Sequence, residues 1–460
     1  MIGIKDGAVL QRGADNSCNI MVYGISDARS SYGTDARNSY GTEVRCKYGT
    51  EHPDLDANVI EISEDAVCIT GIPVGGPYCV SLDGMIYKDI YVGDVWLLAG
   101  QSNMEGNGVY RPGDTQPVSD AIRAYCLDGK WKAAAHPTHL PTETRDNIHR
   151  RDTEEARKEW QYKGVGPGIA FARKMHELTG VPQGIVCCAK GGSRLEEWSP
   201  DRRDEAGDSL YGSLLLSLKD TGHRVAGLFW SQGCSEGMSG NKDIAGYFTN
   251  ATEDVFSAIR KDVGAQIPIV QMQLCRLYGL DPDAVGESFT AVREAQRTLD
   301  EHVDKILTVP TVHLQLDDIV HLSADSQDVL GTQAAEAMYL LAFGERAGLL
   351  PPMEYAGYHM TADKNTGNAI ITVKYKNVYG GLKADVRPMG FTVSDEALKV
   401  KNNRIFHAEV MDDSVVLRVA ATCEQIKGLF LGYGCGAAPD CNVTDAAGRS
   451  IPAMAGIWLG

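Results

Sequence analysis

The stretch that decides the fold is Asp94-Val95-Trp96-Leu97-Leu98-Ala99-Gly100-Gln101-Ser102-Asn103-Met104. Residues 95–98 form an apolar run that is long enough for one buried strand. The glycine at position 100 ends the strand, and three polar side chains follow it directly. A strand that stops at a glycine and presents a serine can hold a nucleophile at the edge of a sheet. Ser102 is therefore the candidate nucleophile, and a strand-ending turn with incidental polar residues is the alternative.

A regular pattern surrounds this stretch: apolar runs alternate with amphipathic segments up to about residue 348. Such alternation predicts an α/β domain with a parallel sheet that is covered by helices on both faces. Ligands of these sheets bind beyond the carboxyl ends of the strands, which is where Ser102 lies. The predicted strands are 94–99, 184–189, 225–230, 267–272 and 306–309, and the predicted helices are 167–179, 247–261, 284–302 and 331–343.

The segments that flank this domain contain short runs of β-forming residues bounded by turn residues. We predict three regions: an all-β segment at 1–93, the central domain at 94–348, and a β-sandwich-like domain at 349–460. A Tyr-Gly-Thr repeat at 32–51 interrupts the first region, and we expect a surface insertion without chemistry there. The sequence leaves open whether the two β segments pack on each other or on the central domain.

The composition restricts the class of partner. The 460 residues carry a formal net charge of −17, so no basic surplus exists to neutralise a nucleic acid or an anionic membrane. No apolar run approaches the length of a transmembrane helix. The first residues lack the layout of a secretion signal, so we expect a cytoplasmic protein, or a secreted one if a signal peptide has been removed. The 12 cysteines are then expected to be reduced thiols.

A serine nucleophile needs a base, a group that orients the base, and donors for the oxyanion. His321 is the candidate base, and Asp318, three positions earlier, is the candidate orienting group; Asp317 is the alternative. The N–H of Ser102 itself and that of Gly192, in the glycine pair after the second strand, are candidate oxyanion donors.

A rival nucleophile exists at Ser235. The segment 233–237 matches the Gly-x-Ser-x-Gly elbow of α/β-hydrolases and follows a predicted strand. The residues after it, 238–241, are not expected to form the helix that this elbow requires.

The words Gly-Gln-Ser-Asn-Met, preceded by Asp-Val-Trp, resemble the SGNH hydrolase superfamily, and within it the sialate O-acetylesterases and related carbohydrate acetylesterases. The resemblance implies a flavodoxin-like parallel sheet, with Ser102 as the nucleophile and Asp318 and His321 as the acid and base. The second block of the family implies that Gly192 donates to the oxyanion, and the third block implies that Gln232 does so as well. The chain departs from the third block at Cys234 and Glu236, which puts the substrate contacts in doubt.

The expected activity is the removal of O-acetyl groups from a carbohydrate, with sialic acid as the first choice, by a serine esterase that needs no cofactor and no metal. The alternatives are an acetylxylan or other polysaccharide acetylesterase, and a non-catalytic carbohydrate-binding protein on the same scaffold. A charged segment at 128–165 with three histidines is expected to form a long loop or lid over the site. The oligomeric state remains open, and the candidate substrate-binding residues are Gln101, Asn103, Arg194 and Trp198.

Overall fold

The computed structural model of the protein describes residues 4–23, 44–48, 54–55, 58–63, 66–82, 85–400 and 403–460. The Tyr-Gly-Thr repeat at 32–51 lies outside the described residues except for the strand Val44–Tyr48, so its role remains a prediction. In the described parts of the chain, no helix combines the length and the apolar character that crossing a membrane requires.

The N-terminal segment is built of strands that lead directly into the central domain. One 16-residue strand, Met85–Gly100, belongs to both regions. Its first half pairs antiparallel with the strand before it and parallel with the strand Val9–Gln11, and its second half enters the central sheet. The strands are β1 (Val9–Gln11), β2 (Ser17–Tyr23), β3 (Val44–Tyr48), β4 (Asp54–Leu55), β5 (Asn58–Ser63), β6 (Ala66–Pro73), β7 (Gly75–Leu82) and β8 (Met85–Gly100).

Eight further strands lie in the central domain, and six of them extend the sheet around β8. They are β9 (Gly108–Val109), β10 (Ile122–Tyr125), β11 (Trp131–Ala133), β12 (Lys163–Val165), β13 (Gln183–Cys187), β14 (Gly227–Ser231), β15 (Ile269–Met272) and β16 (Ile306–Val309). With β11 at one edge, the sheet has the order β11-β10-β13-β8-β14-β15-β16, and only the β10/β11 pair is antiparallel. The five strands β13-β8-β14-β15-β16 have the flavodoxin-like order 2-1-3-4-5, as the sequence predicts.

Helices cover both faces of this sheet. The side chains of β8 alternate between two apolar cores: Val95 and Leu97 pack on one face, and Trp96 and Leu98 on the other. All four are fully buried, because a parallel sheet with helices on both faces has no solvent-exposed side. The helices are α1 (Ser102–Glu105), α2 (Glu154–Glu159), α3 (Gly168–Thr179), α4 (Leu210–Asp220), α5 (Cys234–Gly237), α6 (Ile244–Val263), α7 (Pro282–Arg297) and α8 (Ala324–Phe343).

The C-terminal region is a β-sandwich with one short helix. Two antiparallel sheets, β17-β18-β22-β21 and β20-β23-β25, share an apolar core. Its elements are β17 (Glu354–Ala362), β18 (Ala369–Lys376), β19 (Leu382–Lys383), β20 (Phe391–Ser394), β21 (Ile405–Met411), β22 (Ser414–Val419), α9 (Cys423–Ile426), β23 (Phe430–Tyr433), β24 (Thr444–Asp445) and β25 (Met454–Trp458).

The sandwich packs on the central domain, which answers a question that the sequence leaves open. The Gln273 side chain donates to the carbonyl of Ala453 at 2.8 Å and accepts from the N–H of the same residue at 2.9 Å. The buried Arg293 of α7 donates to the carbonyls of Gly434, Gly436 and Ala437. These bonds satisfy backbone groups that the domain contact removes from water, so they fix the two domains against each other.

Candidate active site

Ser102 lies at the carboxyl end of β8, where the strand order of the sheet reverses between β8 and β14. Gly100 has φ of 120°, and a Cβ atom there would lie 2.1 Å from the carbonyl oxygen of Ser231. Only glycine permits this close approach, which brings β8 and β14 together where β8 ends. Gln101 then donates its N–H to the same carbonyl at 2.7 Å, and Ser102 begins the one-turn helix α1 with 9 % of its surface exposed.

The side chain before the candidate nucleophile fixes the turn to the neighbouring strand. The Oε1 atom of Gln101 accepts the N–H groups of Gly233 and Cys234 at 2.8 and 2.9 Å. Gln101 is 2 % exposed. Its amide oxygen thus satisfies the start of helix α5, and its contact with the substrate stays a prediction.

The side chain after the nucleophile connects it to the candidate base. Asn103 is fully buried, its Nδ2 donates to the carbonyl of Val320 at 3.3 Å, and its Oδ1 accepts the N–H of Leu322 at 3.0 Å. These two partners flank His321 in sequence. Asn103 thus binds the turn on both sides of the imidazole residue. Its side chain serves this turn, whereas the sequence analysis expects it to contact the substrate.

The imidazole of His321 pairs with Asp318. The distance between Nδ1 of His321 and Oδ2 of Asp318 is 2.6 Å, and Oδ1 of Asp318 accepts the N–H groups of Val320 and His321 at 2.9 and 2.8 Å. Burial alone would raise the pKa of Asp318, but the hydrogen bonds from His321 and the two N–H groups outweigh it. The pKa of this carboxyl therefore lies well below its usual value, and the carboxylate stays charged beside the imidazole.

The alternative orienting group, Asp317, points elsewhere. Its Oδ2 accepts the N–H of Val109 at 2.7 Å and that of Ala324 at 3.3 Å, so it connects strand β9 to the start of helix α8. The geometry therefore favours Asp318. Among the described hydrogen bonds none joins Oγ of Ser102 to Nε2 of His321; in hydrolases this bond often tightens only in the substrate complex.

The glycine pair after β13 presents one backbone N–H without a protein partner. The N–H of Gly191 lies beside the carboxylate of Glu105 and acts to lower the pKa of that group, and a Cβ atom at position 191 would lie 2.4 Å from Oε2 of Glu105. The next residue, Gly192, is exposed, has φ of 72°, and its N–H has no protein acceptor within the described parts of the chain. Of the two glycines, Gly192 is thus the one that can donate to an oxyanion.

The Gln232 amide is already engaged. Its Nε2 donates to the carbonyl of Ser193 at 2.9 Å and to the carboxylate of Glu236 at 3.3 Å, and its Oε1 accepts from the hydroxyl of Ser193 at 3.3 Å. Both amide protons therefore have acceptors, so the structure does not place Gln232 as a free oxyanion donor. The amide fixes the loop of the glycine pair instead.

The departures from the third sequence block have clear structural consequences. Glu236 is 6 % exposed; it accepts the N–H of Leu195 at 2.6 Å as well as the amide of Gln232. Burial raises the pKa of Glu236, and these two hydrogen bonds oppose the rise. Cys234 is buried, and its N–H donates to the side-chain oxygen of Gln101. The support of the loop is thus retained with different residue types.

The two remaining substrate candidates lie in different surroundings. Trp198 is fully buried, its Nε1 donates to Oγ of Ser193 at 3.4 Å, and its ring packs edge-on against Trp230. The prediction that Trp198 binds a sugar is therefore wrong, because its ring belongs to the core. Arg194 is the exposed candidate, with a distance of 3.6 Å to the carboxylate of Glu196, and its role remains a prediction.

The rival serine does not form a nucleophile elbow. Ser235 lies within the one-turn helix α5, which ends at Gly237, and its hydroxyl donates to the carbonyl of Ser193 at 2.9 Å. The residues after it form no continuing helix, as the sequence predicts. The Ser235 hydroxyl is thus part of the support of the glycine loop.

The segment 128–165 is packed rather than open. Its three histidines, His136, His139 and His149, are all buried, and burial lowers their pKa values to about 4, about 3 and about 4. A buried neutral imidazole belongs to the packed interior, so this part of the segment is not an open loop, and its role as a lid over the site stays a prediction.

The same segment supplies a residue that sequence reasoning missed. Nη2 of Arg151 donates to both oxygens of Glu105 at 2.7 Å. No sequence signal relates these positions, because they lie 46 residues apart and Arg151 stands in a stretch without periodicity.

Comparison with known proteins identifies the family of the chain. The sequence model of the family described as "Carbohydrate esterase, sialic acid-specific acetylesterase" matches residues 92–340, more than half of the chain. The chain belongs to this family. The acetylesterase is also 27 % identical to a probable carbohydrate esterase of Arabidopsis thaliana over 282 residues, 56 % of this chain and 94 % of that protein.

A solved structure shares the whole architecture. The crystal structure of a carbohydrate acetylesterase from Xanthomonas citri superimposes with a TM-score of 0.67 at 20 % identity and covers 99 % of both chains. At this identity the likeness shows the fold, including the β segments at both ends of the acetylesterase.

Proposed function

We propose that this acetylesterase removes O-acetyl groups from sialic acid through a Ser-His-Asp mechanism. Oγ of Ser102 attacks the acetyl carbonyl, and Nε2 of His321 takes the proton from the hydroxyl. The same imidazole then protonates the departing sugar oxygen, which leaves an acetyl-enzyme. Water, activated by His321, hydrolyses that ester, while Asp318 holds the imidazole orientation and stabilises its positive charge.

One observation carries this proposal. The 2.6 Å pair of Asp318 and His321 lies in a turn that the residue next to Ser102 binds through Val320 and Leu322. Two segments that lie more than 200 residues apart in sequence thus converge at the carboxyl end of β8. A carboxylate that orients an imidazole beside a serine is the arrangement that acyl transfer at serine requires.

We assign the oxyanion to two backbone donors, the N–H groups of Ser102 and Gly192. The free N–H of Gly192 and its φ of 72° support this assignment. Because the Gln232 amide is engaged with Ser193 and Glu236, we assign Gln232 the role of positioning that loop. Removing one donor from an oxyanion site lowers the rate about 10²- to 10³-fold, which sets the scale for variants of this loop.

The choice of sialic acid is supported by the description of the family and by an exposed cation. Arg194 follows the glycine pair, and its exposed guanidinium lies 3.6 Å from the carboxylate of Glu196. A guanidinium binds a carboxylate through two parallel hydrogen bonds, and sialic acid carries such a carboxylate.

The decisive experiment measures acetate release from O-acetylated sialic acids, acetylated xylo-oligosaccharides and a chromogenic acetate ester. The proposal expects turnover of the sialic acids, the highest kcat/KM among the sugars for them, and loss of activity in the Ser102→Ala variant. Higher kcat/KM on the xylo-oligosaccharides would replace the substrate but keep the mechanism. No turnover of any ester above the level of Ser102→Ala would favour the carbohydrate-binding protein.

A further inference from the structure

A carboxylate lies buried directly behind the nucleophile turn. Glu105 ends helix α1, three positions after Ser102, and is 1 % exposed. Burying a carboxylate to this degree costs free energy unless its charge is paired and hydrogen-bonded. Glu105 takes no part in the mechanism described above. Its side chain nevertheless contacts two other parts of the chain.

The first partner is the oxyanion loop, which we define as residues 190–193. Gly191 packs directly against the Glu105 carboxylate, and this close approach leaves no room for a Cβ atom at position 191. The neighbouring Gly192 is the residue whose N–H has no acceptor among the described residues. Because only the φ and ψ angles of Gly191 separate the two peptide units, holding Gly191 in place restricts where the N–H of Gly192 points.

The second partner is Arg151, whose Nη2 lies 2.7 Å from both oxygens of Glu105. Burial raises the pKa of Glu105 above its usual value, although the charge of Arg151, the N–H of Gly191 and the nearby His321 oppose the rise. His139, whose ring also faces the backbone of Glu105, is neutral, since burial lowers its pKa to about 3. Arg151 is therefore the cation that compensates this buried carboxylate.

We propose that Glu105 is a positioning residue, which fixes the oxyanion loop against the nucleophile turn, and that its pairing with Arg151 holds the carboxylate in place. This inference rests on the proposed esterase mechanism. A displacement of reacting groups by about 1 Å can lower a rate about 10²-fold, so loosening this contact should act on kcat. Because Glu105 does not contact the substrate, KM should stay within about twofold of the wild-type value.

The test compares Glu105→Gln with a matched control, using a chromogenic acetate ester. The control is Asp94→Asn: Asp94 is also 1 % exposed and receives two bonds from Arg12, at 2.7 and 2.8 Å. It lies within the same strand, eight residues before Ser102 in sequence and roughly 25 Å away at about 3.3 Å per residue. We expect Glu105→Gln to lower kcat about 10²-fold, and Asp94→Asn to lower the thermal midpoint without changing kcat.

A second variant keeps the test decisive if Glu105→Gln does not fold. Gly191→Ala leaves Glu105 and Arg151 intact but forces the carboxylate and the loop apart, because its Cβ atom would lie 2.4 Å from Oε2. The proposal expects the same loss of kcat with KM unchanged. A folded variant of either kind with kcat near that of the wild type would overturn the inference, as would an equal loss of kcat in Asp94→Asn. A wild-type protein without esterase activity would instead contradict the proposed function, and this inference with it.

Discussion

Replacing Arg293 by Met tests whether the C-terminal sandwich holds the acid–base turn in place. Arg293 is 1 % exposed, and no carboxylate among the described residues pairs with it. Burial lowers its pKa for that reason. Its guanidinium donates instead to five backbone carbonyls, those of Leu274 (3.0 Å), Cys275 (2.5 Å), Gly434 (3.1 Å), Gly436 (2.5 Å) and Ala437 (3.0 Å).

Two of these carbonyls belong to a segment, 274–278, that also contacts the turn of His321. The thiol of Cys275 donates to the carbonyl of Val320 at 3.3 Å, and the N–H of Tyr278 donates to that of Ile319 at 2.8 Å. Arg293 thus connects the sandwich to the segment on which the Asp318/His321 turn rests. Its removal should loosen both contacts at once.

The expected magnitude follows from the number of carbonyls. Methionine keeps the apolar stem but leaves four of these carbonyls without a donor, since that of Ala437 also accepts the N–H of Leu277, and each unpaired group costs about 1–3 kcal/mol. At the low end the loss is about 4 kcal/mol, and removing a charge that is buried without a counter-ion offsets part of it. We expect the free energy of unfolding to fall by about 3–5 kcal/mol, which is a large share of the stability of a typical domain.

The assay is urea denaturation followed by tryptophan fluorescence, together with kcat on a chromogenic acetate ester in the absence of urea. Arg260→Met is the matched control: Arg260 is 8 % exposed and also donates only to carbonyls, those of Ile267 and Asp304. These two carbonyls precede β15 and β16, at the edge of the sheet opposite Ser102. The control should lose about 2 kcal/mol of stability and keep its kcat, whereas Arg293→Met should lose about tenfold or more in kcat. The reasoning is refuted if Arg293→Met keeps both its stability and its kcat, or if the control loses as much kcat.

Three further predictions follow from the site. Ser102→Ala should abolish turnover and acetylation of the protein, whereas Ser235→Ala should keep most activity, since its hydroxyl only supports Ser193; burst kinetics with a chromogenic ester checks both. Asp318→Asn should lower kcat about 10⁴-fold because the imidazole loses its orienting carboxylate, while Asp317→Asn should change stability more than kcat, which steady-state kinetics and thermal melts separate. Stability should fall as the pH drops from 6.5 towards 4, because His149 becomes protonated in the unfolded chain in this range, while burial keeps its pKa in the folded protein near 4. For this group, the unfolding free energies at pH 7 and pH 5 should differ by up to about 2 kcal/mol. His149→Gln should remove this contribution to the pH dependence.

The sequence by itself determined the features that depend on short-range geometry. The fully apolar runs around Trp96 predict buried parallel strands, because only strands covered on both faces lack polar positions. The glycine that ends β8 predicts where the serine stands. The Asp-x-x-His spacing predicts the 2.6 Å pair, since residues three apart in a turn can face each other. Helix α4 was missed, although its buried leucines, Leu210, Leu214 and Leu218, recur every four residues.

Only the tertiary structure decided which polar side chains serve the backbone and which remain free for chemistry. Asn103 could have contacted a sugar, but it binds the turn of His321, which lies more than 200 residues away. Trp198 is buried against Trp230, and Glu105 finds Arg151 in a segment without any pattern. An amide, an indole or a carboxylate has several possible partners of similar strength, and the packing of distant segments determines which of them comes within hydrogen-bond distance.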